Sequence, residues 1–235
     1  MWWIPLIIVL VLLIIIIIAV AISVHEHNKG DYGDGGGNII GGTEQPHIFM
    51  PATDRAGLRG EKIVNYHLRP LLRQDEYLLA NVLIPLKNGG KTEIDCILIS
   101  RKGIFCIETK NWVGHISGND EDEYWIQEYD DPYLSNRKHK NPVIQNDGHC
   151  AVLERLLNNR FKVYGAVIFA EIEDGLGIHS ESAFSVYGFK RYFRELSEDD
   201  LFESELKQIY QKLLPYVATE EELKKHREEV KRRYN

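Results

Sequence analysis

Three charged side chains stand where a buried strand would ordinarily be apolar: Asp95, Glu108 and Lys110, all within residues 92–112, TEIDCILISRKGIFCIETKNW. The run reads as two β-strands joined by a tight turn at Arg101-Lys102-Gly103. Residues two apart in a strand project from one face, so the Glu108 carboxylate and the Lys110 ammonium lie side by side. With a short turn in register, Asp95 falls nearly opposite Glu108, and opposed residues share a face. A slip of one residue would send Asp95 to the other side. The ordinary explanation of such charges is a surface hairpin with exposed ion pairs. Ile94, Ile97, Leu98, Ile99, Ile104, Phe105 and Ile107 argue against it, because they call for cover on both faces. Buried charges are costly unless they bind something. Two close carboxylates do not both ionise cheaply unless a cation joins them. Hard oxygen ligands suit Mg²⁺ or Mn²⁺, ions that also bind substrate phosphate. Lys110 beside such an ion would orient an attacking water or steady developing negative charge. That chemistry is hydrolysis of a phosphodiester.

The hairpin needs elements around it. Leu58, Ile63, Val64, Leu68, Leu71 and Leu72 have helical spacing, which predicts a helix over 54–72. Residues 77–85 read as a first strand, closed by a turn at Asn88-Gly89-Gly90. Residues 119–140 are polar and acidic, with a short strand expected around Trp125 and a loop after it. Asn141-Pro142 is a helix start, Asn as cap and Pro in the first turn, and the helix should run to about Asn158. Residues 162–170 form a continuous apolar strand, and 182–187 a shorter one. From Glu198 onward the pattern is helical, broken at Pro215, with a highly charged last segment from Thr219.

At these residues the sequence resembles the NERD (nuclease-related) domain, a branch of the PD-(D/E)XK restriction-endonuclease-like superfamily. The matching motifs are Gly60-Glu61, Glu93-Ile94-Asp95, Lys102-Gly103-Ile104-Phe105, Glu108-Thr109-Lys110-Asn111-Trp112 with Gly114, and Asn141-Pro142 with Gln145. The resemblance runs from about Gly57 to Ala170. It implies an α/β fold, a mixed β-sheet flanked by helices. It implies Asp95 and Glu108 as metal ligands, the Thr109 backbone carbonyl completing the metal site, and Lys110 as the catalytic lysine. Glu61 resembles the acidic residue carried on a helix in that superfamily; a carboxylate favoured by the helix dipole is its plainer role. Gln145 matches a polar residue of the later helix, with His149 one turn on along the same face. Ile94 stands where the superfamily name would put a proline.

Other features bound the reading. Residues 2–24 carry no charge and are long enough to cross a bilayer core of about 30 Å, with Trp2 and Trp3 at one interface. The expected organisation is an anchor at 1–25, a Gly-rich tether at 26–52, a nuclease-like domain at 53–188 and a helical extension at 189–235. His25 and His27 lack further ligands nearby. Cys96, Cys106 and Cys150 show no zinc spacing and read as buried thiols in a reducing compartment, which tilts the domain toward the cytoplasm. A net charge of -7 argues against coating nucleic acid by bulk charge. Arg137-Lys138-His139-Lys140 is a local exception with the charge to touch phosphates, though a solvated surface is its plainer role. Gly89-Gly90-Lys91-Thr92 is no phosphate loop, since Pro85 occupies the position of its first glycine. The expectation is a membrane-anchored nuclease acting on nucleic acid, DNA favoured, with Mg²⁺ or Mn²⁺. The rival is a module that binds nucleic acid or protein at the membrane without cleaving it.

Overall fold

The computed structural model describes residues 52–87, 89–172, 177–198 and 201–234. The expected anchor, nearly all of the tether, and His25 and His27 lie outside them. No helix among the described residues is long and apolar enough to cross a membrane.

The chain begins with helix α1 (Ala52–Leu68) and a 3₁₀ turn (Arg69–Leu71). Strands β1 (Tyr77–Pro85), β2 (Lys91–Ser100) and β3 (Gly103–Lys110) follow as an antiparallel meander. Three short strands come next: β4 (His115–Asn119), β5 (Tyr124–Glu128) and β6 (Arg137–Lys140). Helix α2 (Pro142–Leu156) then leads to β7 (Val163–Phe169), which runs parallel to β3. After β8 (Gly177–His179) and β9 (Ala183–Ser185) come helices α3 (Val186–Glu195), α4 (Glu203–Leu213) and α5 (Glu220–Tyr234). The strands form two mixed sheets, ordered β1-β2-β3-β7-β9 and β6-β5-β4-β8. The fold is mixed α/β and consistent with a restriction-endonuclease-like fold, as the resemblance implied.

Strand alternation explains the layers of the larger sheet. Ile97, Ile99, Ile104 and Cys106 pack with Cys150, Leu153 and Leu157 from the α2 region and with Leu206, Ile209 and Leu213 of α4. Their neighbours Cys96, Leu98, Phe105 and Ile107 face the other way, onto Val64 and Leu68 of α1 and Phe189 and Phe193 of α3. Burial on both faces is why β2 and β3 are near-continuous runs of isoleucine, leucine and phenylalanine. All three cysteines are free and buried, and burial pushes the Cys96 and Cys106 thiols well above their usual range.

Two expectations about elements need correction. Residues 119–140 hold more than one strand, because β6 pairs with β5 where a loop was expected. Its residues are mostly exposed and none is aliphatic, so the pairing leaves no hydrophobic alternation to read. Residues 182–187 are divided: β9 ends at Ser185, whose side chain accepts from Gly188 N–H and caps α3.

Candidate active site

Backbone geometry first brings the site residues together. Strands β2 and β3 keep the expected register, Ile97 opposite Cys106 and Cys96 opposite Ile107, and the pairing ends there. Beyond that point Asp95 Oδ2 accepts the Thr109 N–H at 2.8 Å, so a side chain takes up the donor of the neighbouring strand. On the other flank, β1 pairs with β2 at Ala80–Cys96 and Val82–Ile94, and between them Asn81 adopts a left-handed backbone (φ 59°). The sheet is therefore irregular on both sides of Asp95. A gap between diverging strands can receive a polar side chain that regular pairing would exclude.

Three carboxylates gather at this gap. Oxygens of Glu61, Glu93 and Asp95 lie within 4.8 Å of one another. Glu93 and Asp95 are two apart in β2 and share a face. Glu61 arrives from α1, whose buried stripe Gly60-Val64-Leu68 presses the helix onto the sheet. A Cβ at Gly60 would lie 2.9 Å from Asn111 Cβ and 3.4 Å from Ala170 Cβ, so glycine sets how closely α1 crosses the ends of β3 and β7. Asn111 fixes the crossing by donating from Nδ2 to the Ala56 carbonyl at 2.9 Å. Burial, then the Glu108 and Glu61 charges, push the Asp95 carboxyl well above its usual range. Glu61 is also raised, by burial first, with Arg227 opposing. Arg227 comes from α5: its Nε donates to Glu93 Oε1 at 3.0 Å and Oε2 at 3.1 Å, and its terminal nitrogen reaches Glu61 Oε1 at 3.2 Å.

Glu108 points toward α2. Its Oε1 accepts from Lys110 Nζ at 2.6 Å and from Gln145 Nε2 at 2.9 Å, while Lys110 also donates to Gln145 Oε1 at 3.2 Å. His149 Nδ1 is 3.4 Å from Glu108 Oε2, close enough for a charged imidazole to hold it. Burial pushes the Glu108 carboxyl up, but Lys110 and His149 outweigh it and hold the carboxyl below its ordinary value. The position of α2 is set one residue from Gln145, where buried Asn146 donates to the Cys106 carbonyl at 3.0 Å. Asn141 caps the helix at Val143 N–H, as the Asn-Pro pair predicts, and its amide nitrogen also ties down the β4–β5 turn through the carbonyls of Asn119, Asp120 and Asp122.

The second sheet stands beside Lys110. Trp112 stacks on His139 of β6 with centroids 4.1 Å apart, and Lys110 Nζ lies 5.8 Å from the Trp112 ring. Burial, then the Arg137 and Lys110 charges, lower the His139 imidazole, so both cations share its neighbourhood.

The expected residues thus fall into two adjoining groups. Asp95 and Glu61 belong to the carboxylate trio, and Glu108, Lys110 and Gln145 to a hydrogen-bonded triangle. Thr109 joins Asp95 through its N–H. Sequence reasoning quoted Glu93 within a motif but gave it no role, although its two-residue spacing from Asp95 was the available signal. His149, which the sequence places one turn beyond Gln145, faces Glu108. Arg227 had no local signal at all.

The donor set fits a hard divalent cation: three clustered carboxylate oxygens, a carboxyl driven up by burial and by the Glu108 and Glu61 charges, and an arginine already drawn in as counter-charge. The nuclease-related domain family model matches residues 56–170. An uncharacterized protein of Bacillus anthracis is 26% identical over 173 residues, covering 72% of this chain and 80% of that protein. No solved structure matches. Residues 56–170, which carry the hairpin, Glu61 and Gln145, are a nuclease-related (NERD) domain.

Proposed function

We propose that this protein is a metal-dependent nuclease that hydrolyses phosphodiester bonds, DNA favoured, and that residues 1–25 anchor it in a membrane with the domain in the cytoplasm. The observation that carries the catalytic reading is the trio Glu61, Glu93 and Asp95 within 4.8 Å, beside the Glu108–Lys110–Gln145 triangle. Asp95 and Glu108, with the Thr109 carbonyl, would hold Mg²⁺ or Mn²⁺, and Glu61 and Glu93 would extend the oxygen set. A divalent ion bound there supplies a more acidic water and charge neutralisation at the phosphoryl group. Lys110 is held by two acceptors, so its ammonium is aimed before substrate arrives and stabilises negative charge as it develops. Gln145 donates to Glu108 and accepts from Lys110, which keeps acid and amine in one arrangement. The free, buried thiols support the reducing side of the membrane.

The test uses the full chain with linear, circular and single-stranded DNA, with and without Mn²⁺. Wild type should cleave, and Asp95→Ala and Glu108→Ala should each lose on the order of 100-fold or more in rate while remaining folded. Cleavage that survives both substitutions in a clean preparation rejects the reading. A second reading, a binding module without catalysis, draws on the net charge of -7 and on Arg227 neutralising two of the acids. Calorimetry separates the two: a non-catalytic module shows no Mn²⁺ heat that depends on Asp95.

A further inference from the structure

The acidic trio already has one cation against it, and that cation comes from the far end of the chain. Arg227 is 134 residues from Glu93 in sequence and lies outside the stretch that matches the nuclease-related domain. Its Nε donates to both oxygens of Glu93, and its terminal nitrogen bonds Glu93 and Glu61. These are two of the three carboxylates grouped at the gap. An oxygen that accepts from a guanidinium presents its lone pairs to that group, and a second cation in the same cluster meets its repulsion.

The helix that delivers Arg227 is lightly held. Among the described side chains of α5, Leu223 is the one that is buried, and the rest are exposed or half-exposed. The chain just before it is fixed: Val217 bridges to Val82, and Ala218 N–H donates to the Asn81 carbonyl at 2.9 Å. A short, charged helix with one apolar anchor, beginning at a fixed point, belongs to the low-stability end of a protein.

We propose that Arg227 is a built-in cation that occupies the Glu61–Glu93 side of the site and competes with the divalent ion, so that α5 acts as a latch over the carboxylates. This rests on the metal-dependent reading above. Competition is reciprocal: if Arg227 weakens ion binding, the ion weakens the hold on α5 by the same factor. A purely structural ion pair that docks the C-terminal helix would give no such linkage with the ion.

Manganese binding to the full-length chain, followed by calorimetry, tests the proposal. Arg227→Gln should bind Mn²⁺ roughly tenfold more tightly than wild type, and Arg227→Lys should fall between, since it keeps the charge and loses the fork. In the wild type, saturating Mn²⁺ should speed amide hydrogen exchange across residues 220–234. A folded Arg227→Gln variant that binds Mn²⁺ no more tightly overturns the latch, and if Asp95→Asn still abolishes binding, the metal site survives that result. Should Arg227→Gln fail to fold, the exchange measurement on wild type decides, and unchanged protection at saturating Mn²⁺ overturns the latch. No Mn²⁺ heat in any variant sinks both the latch and the metal reading.

Discussion

Asp95 carries a charge that the apoprotein does not welcome. Burial and two neighbouring carboxylates raise its pKa well above the ordinary 3.8, while the Thr109 N–H opposes them. The sign for stability follows. A carboxyl whose pKa is raised on folding costs nothing below pH 3.8, where it is protonated in both states. As pH rises from 3.8 through the folded pKa, the native state loses stability. Asp95→Asn keeps an oxygen that can accept from Thr109 and removes the charge. In metal-free protein it should therefore raise the unfolding midpoint at pH 7, with the difference from wild type vanishing below pH 3.8, read by urea denaturation across pH. A variant less stable than wild type at pH 7 would show that the Asp95 charge is already compensated. At this scale Asp95, Glu108 and Lys110 were legible because charge in an apolar strand stands out. Glu93 was legible in principle from the two-residue repeat. Arg227 was not, because nothing local links a charged terminal helix to a strand 134 residues away.

Among the elements, α1 is held close to the ends of β3 and β7 at Gly60. Alanine is the better helix former by roughly 1 kcal/mol, so an unobstructed Gly60→Ala change would stabilise. Here the new methyl would meet Asn111 and Ala170, and α1 would have to lift from the ends of β3 and β7. The expected result is net destabilisation of about 1–3 kcal/mol in urea denaturation, with weaker Mn²⁺ binding in calorimetry because Glu61 moves with the helix. Helix α1 was readable from its periodic stripe, and β2, β3 and β7 from apolar runs that bury both faces, whereas the start of α3 was read as strand. Strand β6 was not, because its cohesion comes from backbone pairing to β5 and from His139, which stacks on Trp112 and contacts Gln127 at 2.8 Å. The Asn-Pro start of α2 was readable down to its capping bond.

For the whole molecule, a charge of -7 sets a general repulsion toward nucleic acid that a local basic edge must overcome. On the proposed nuclease reading strand β6 supplies that edge, and Arg137 is the exposed cation that shares His139's neighbourhood with Lys110. Arg137→Ala should weaken duplex binding several-fold and reduce the slope of log affinity against log salt by about 1, measured by fluorescence anisotropy over a salt series. An unchanged slope would remove Arg137 from the contact surface. The topology has a further consequence. Strands β4 to β6 belong to the excursion between β3 and α2, and β8 to the excursion between β7 and β9. Both excursions leave the larger sheet at the carboxyl ends of parallel strands, next to Lys110 and Phe169. The basic strand β6 and the carboxylate trio thus belong to different stretches of polypeptide, and β4–β6 could lengthen, shrink or be exchanged by grafting while the carboxylates keep their supports. On the nuclease reading proposed above, a lineage built on this plan would retarget its enzyme without rebuilding the machinery that cuts.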